Sequence, residues 1–136
     1  MVDDVLLNKA ESIERCLKRI AEEYVGHESE LRTNFSRQDA IILNLQRLCE
    51  SSIDAAMHIV RKEKLGIPQE SREAFEMLEK HGLLNPSLSD QLNYMTRFWI
   101  VAVHDYQKLN LDVVESILKN HLDEFREYVK VILGRS

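Results

Sequence analysis

Residues 97–106 read RFWIVAVHDY, an apolar run that carries Arg97, His104 and Tyr106. Histidine has a reference pKa near 6.5, so it can take or give a proton near neutrality. Arginine offers a permanently charged fork that matches phosphate oxygens. On a regular helix, positions seven apart return to nearly the same face, so Arg97 and His104 project on one side, roughly 10.5 Å apart along the axis. At that separation they could flank one phosphate group without touching each other. Tyr106 points elsewhere on an ideal helix and joins the pair only if the helix ends there, as the following QKLN permits. The same residues also fit a surface arginine and a helix-end histidine. Spacing alone leaves both readings open.

Other combinations are weaker. Asp54 and His58 stand four apart in an apolar-periodic stretch and could form a two-ligand edge, although such pairs are more often local hydrogen bonds. A di-iron bundle needs Glu three residues before His on facing helices. None of His27, His58, His81, His104 or His121 has Glu there, so neither a metal nor a cofactor is expected. There is no glycine-rich phosphate loop and no serine elbow. The run RKEKLG reads as a solvated helix end whose cations complement the dipole, with an RNA-facing rim as the lesser reading.

The elements that must position these residues are helical. Leu6, Ala10, Ile13, Leu17, Ile20 and Tyr24 recur at spacings of four and three, the seam of a helix packed along a neighbour. Ser36 followed by Asp39 predicts a capping box opening a second helix through Val60, which Gly66 and Pro68 end. A short helix follows, REAFEMLEKH, running to Gly82. Ser87 with Asp90 predicts the start of the helix that carries Leu88, Leu92, Met95, Trp99 and Val103. A last helix runs from about Asp112 through Val114, Leu118, Leu122, Phe125, Val129 and Ile132 to Gly134. The expected fold is all-α, an antiparallel bundle of four to five helices in one domain over residues 1–136.

Composition agrees with a folded chain: 136 residues, 44% hydrophobic and 30% charged. A net charge of −5 argues against coating nucleic acid by bulk electrostatics, yet leaves room for an enzyme with a small basic cleft. Cys16 and Cys49 sit in apolar stretches, the N-terminus lacks a signal-peptide layout, and no apolar run approaches the about 20 residues of a membrane span. A reduced cytoplasmic setting is expected.

Two separated stretches, SSIDAAMHIVRKEKLGIPQESREAFEMLEKHGLL at residues 51–84 and VAVHDYQKL at residues 101–109, resemble the HepT-like branch of the HEPN superfamily, in register over roughly residues 5 to 132. The resemblance implies an all-helical homodimer with arginines and histidines in a cleft at the dimer interface. It further implies a metal-independent endoribonuclease acting as the toxin of a toxin–antitoxin pair. The partner it implies is a nucleotidyltransferase antitoxin of the MntA kind, which adds AMP units to the tyrosine of the His–x–Tyr motif, here Tyr106. Cleavage of RNA without metal needs a base for the ribose 2′-hydroxyl, an acid for the leaving oxygen and positive charge on the phosphate. His104 and Arg97 are the residue types that supply these.

The chain departs from the family pattern at two positions. Members usually read Arg–Asn, three residues, then His, which would put arginine at 99 and asparagine at 100, where this chain has Trp99 and Ile100. Arg97 still meets the looser superfamily spacing of four to six intervening residues. Two readings follow: Arg97 reaches along the helix face to hold phosphate, or the chain is a disabled helical dimer that only binds the nucleotidyltransferase. A structural bundle with no nucleotide chemistry is a third, and the order of groups in VHDYQKL argues against it.

Overall fold

The computed structural model describes residues 3–104 and 110–135, and the side chains in that range apart from 98–104. Tyr106 and the side chains of Trp99, Ile100 and His104, singled out in the sequence, lie outside the described residues. Six α-helices are present among the described residues: α1 (Asp4–Tyr24), α2 (Phe35–Lys62), α3 (Ser71–Lys80), α4 (Pro86–His104), α5 (Leu111–Asn120) and α6 (Leu122–Arg135). A single 3-10 turn, Glu28–Glu30, lies between α1 and α2. No described residue is in a strand.

The seam expected for α1 is the buried face observed: Leu6, Ala10, Ile13, Leu17, Ile20 and Tyr24 all face inward. It packs along α2, the longest helix, and α6 lies against both. Helix α3 covers α2 and α4, while α4 bridges α2, α3 and α6. The apolar interior is continuous from Leu6 through Ile59, Phe75 and Met95 to Ile132. Tyr128 ties α6 to α2 within it: its hydroxyl donates to the Ser52 carbonyl at 2.8 Å, and its ring meets Phe75 edge-on at 6.0 Å. A buried hydroxyl needs such a partner, because an unmade hydrogen bond costs more than a made one gains.

Helix ends differ from the sequence reading in three places. Asn34, not Ser36, caps α2 by accepting from the Arg37 N–H, and Asn85, not Ser87, accepts from the Leu88 N–H at 2.8 Å at the start of α4. Asn is as good a cap as Ser, and the extended backbone at Asn34 decides which of the two serves. At the end of α2 the left-handed residue is Lys64 (φ 55°), two positions before the expected Gly66. Leu65 N–H returns to the Val60 carbonyl at 2.9 Å and Lys64 N–H to Arg61 at 3.3 Å, a Schellman closure that Leu65 secures by packing on the core. Gly82 (φ 78°) makes the same closure after α3, where the sequence placed it.

The expected last helix is two. It stops at Asn120, His121 closes it by donating to the Ile117 carbonyl, and α6 starts at Leu122. Asn and His are weak helix formers, so a break there costs little. The break lets Val114, Ile117 and Leu118 reach the core separately from Phe125, Tyr128, Val129 and Ile132. Arg32, from the connection between α1 and α2, holds α5 in place through Asp112 and Glu115.

Candidate functional site

Helix α4 positions the candidate residues. Leu88, Ser89, Leu92, Met95 and Thr96 are buried, and the two hydroxyls are satisfied locally: Ser89 donates to the Phe75 carbonyl and Thr96 to the Leu92 carbonyl. Taking Leu92 as the centre of that inner face, 100° per residue puts positions 97 and 104 about 140° and 120° away, on the side turned from the core. Arg97 is exposed and forms no ion pair with a described residue. His104 is the last residue of α4, so positions 97 and 104 share one outward face of a continuous helix.

Two further residues of that face were not singled out from the sequence. Tyr94, three residues before Arg97, is 56% exposed. Asn93 is half-buried, and its Oδ1 is buried without a hydrogen-bond partner among the described residues. Helical register was the signal that could have found them, since both lie within one turn of Arg97 on the same side.

Asp54 and His58 do not form a site together. His58 Nε2 bonds the Oδ2 of Asp3 at 2.9 Å, and Asp54 Oδ2 takes the Lys9 ammonium at 3.3 Å. Each therefore pins α2 to α1. Asp3 is shared three ways: its Oδ1 caps α1 at Leu6, and its Oδ2 also accepts from Lys62 at 2.9 Å. Lys62 and His58 hold the Asp3 carboxyl well below the usual range.

The remaining nucleophile types are passive. Cys16 and Cys49 are buried and free, and burial pushes both thiols up, away from the reactive thiolate. Burial likewise raises the Tyr128 phenol. Among the described residues no group of three or more His, Cys, Asp or Glu is placed to hold a metal ion, and no helix is long and apolar enough to cross a membrane.

A helical bundle presenting an arginine and a histidine position on one such face defines a class, and the chain belongs to it: residues 13–132 match the ribonuclease HepT-like family. It is 46% identical over 131 residues to the mRNA nuclease HepT of Shewanella oneidensis, covering 96% of this chain and 98% of that protein. Among solved structures it is similar to the tri-AMPylated HEPN toxin of Shewanella oneidensis in complex with its MNT antitoxin, with a TM-score of 0.91, 45% identity, and 98% and 99% of the two chains covered. It is also similar to a toxin–antitoxin bound to AMP-PNP, with a TM-score of 0.90, 44% identity, and 96% and 99% covered. The all-helical HEPN architecture expected from the sequence is the one observed, with six helices among the described residues in place of four to five.

Proposed function

We propose that this chain is the toxin of a HEPN/MNT toxin–antitoxin pair: a metal-independent endoribonuclease, one domain over residues 1–136, working as a homodimer in the cytoplasm. The observation that carries the reading is near full-length similarity, at 46% identity, to a protein named as an mRNA nuclease. The outward placement of positions 97 and 104 on α4 supports it, because a cleft between two copies needs its reactive groups on the face each copy leaves uncovered.

In this mechanism His104 of one copy takes the proton of the ribose 2′-hydroxyl, whose oxygen attacks the adjacent phosphorus. The 5′-oxygen leaves with a proton from the second His104, giving a cyclic phosphate end and a free hydroxyl end. Arg97 holds a non-bridging phosphate oxygen as charge builds on it. The antitoxin silences the site by nucleotidylation. The Tyr106 phenol gives its proton to solvent as its oxygen bonds the α-phosphorus of a nucleoside triphosphate, pyrophosphate leaves with the electrons of the broken P–O bond, and the attached AMP adds bulk and negative charge where RNA would enter.

A second reading is favoured by Trp99 and Ile100, which put apolar side chain types where the family has Arg–Asn: a disabled dimer whose task is to bind the nucleotidyltransferase. RNA cleavage in EDTA separates the two. Cutting by the chain as it stands, lost in His104→Ala, establishes the enzyme with Arg97 as its cation. Cutting only by a Trp99→Arg, Ile100→Asn double variant establishes the disabled form. AMP masses on Tyr106 after co-expression with the antitoxin test the regulation, and an unmodified Tyr106 sinks it.

A further inference from the structure

Among the described side chains of α4, Tyr94 is the large exposed ring of the outward face. Tyr94 is 56% exposed, and no hydrogen bond or ring contact holds its side chain among the described residues. Phe35, another exposed aromatic, opens α2 and lies off this face. Along the axis Tyr94 precedes Arg97 by about 4.5 Å and position 104 by about 15 Å, and it lies about 60° and about 80° from them around the helix, still on the side turned from the core. Asp90, also exposed, stands one turn further back. Along the axis this side therefore runs acid at 90, neutral ring at 94, a cation at 97 with no ion pair among the described residues, and then position 104.

That order suits a nucleotide in one direction only. Phosphate is drawn to Arg97 and repelled from Asp90, whereas the flat, uncharged base can occupy the space between them. Single-stranded RNA is held in this way, with charge on the backbone and an aromatic face under a base. We propose that Tyr94 is a nucleobase-stacking residue, forming with Arg97 a subsite that binds the nucleotide flanking the scissile phosphate. This rests on the endoribonuclease reading and adds a determinant of where RNA is gripped. Stacking tolerates any base, so the subsite sets position along the strand more than sequence.

The test is RNA binding by the His104→Ala chain, which retains Tyr94 and Arg97, with short single-stranded RNA followed by fluorescence anisotropy and light scattering to report oligomeric state. Tyr94→Ala is expected to weaken binding roughly 5- to 100-fold with the dimer intact, and Tyr94→Trp to restore it. An oligonucleotide with one base removed at the contacted position should bind the Tyr94 protein more weakly, yet cost the Tyr94→Ala protein nothing further. Unchanged binding in Tyr94→Ala, or a base-removal penalty that persists in that variant at every position, overturns the proposal. A Tyr94→Ala protein that turns monomeric also overturns it and assigns the ring to the contact between copies. If the His104→Ala chain and the Trp99→Arg, Ile100→Asn form both fail to bind RNA with Tyr94 present, the ribonuclease reading falls, and this one with it.

Discussion

The junction of α1 and α2 and the outward face of α4 treat their charges in opposite ways. At the junction Arg19 bonds Glu22 and Glu23, Arg37 bonds Glu23 and its carbonyl, and His27 bonds Glu30. At the far end of the same pair, Asp3 satisfies Leu6, His58 and Lys62 together. On α4, Arg97 has no carboxylate, Tyr94 has no partner and the Asn93 Oδ1 is unmet among the described residues. Charges that orient helices are neutralised within the chain. Arg97 has no such carboxylate among the described residues, which suits the phosphate-holding role proposed for it, because an internal carboxylate would compete with phosphate.

The sharpest break of this contrast is His104→Ala, expected to lower RNA cleavage about 10²- to 10⁴-fold with the unfolding midpoint in urea unchanged. Equal loss of both would move His104 from the chemistry to the scaffold. Phe75→Ala is expected to do the reverse, costing about 3–5 kcal/mol of stability because the ring is fully buried against Tyr128. Guanidinium unfolding read by far-ultraviolet circular dichroism measures that loss.

Paired against each other, Arg97→Ala should weaken RNA binding about tenfold and leave stability alone, while Arg32→Ala should change stability by less than about 1 kcal/mol and leave RNA binding alone. A matched set of binding isotherms and urea curves decides it. Tyr128→Phe should cost about 1 kcal/mol, the worth of its bond to the Ser52 carbonyl.

The smallest effect expected concerns acid. The Asp3 carboxyl is lowered in the folded chain, so its contribution is fully present above the unfolded carboxylate value of about 3.9 and is lost as pH falls below that value. The stability gap between the chain and Asp3→Asn should therefore close as the buffer is taken below pH about 3.9. A gap that opened on acidification would contradict the assignment.

Much of this was legible before folding. The four–three spacing of Leu6 to Tyr24 fixes the buried stripe of α1, and the seven-residue interval from Arg97 to His104 puts both positions on one side of α4, since helical period is a local property of the backbone. Gly82 was legible for the same reason. The caps at Asn34 and Asn85 were not, because several neighbouring residues could cap and only the path of the incoming chain chooses among them.

Composition and periodicity alone determined an all-helical chain with its ionisable motif on one helix, because apolar spacing dictates which face is buried. The tertiary structure decided what no local pattern encodes: that α5 and α6 part at His121, that Asp54 and His58 turn to Lys9 and Asp3, and that Arg97 meets no carboxylate among the described residues beside an exposed Tyr94. Each of these depends on residues distant in sequence arriving, or failing to arrive, within hydrogen-bonding reach once the helices have packed.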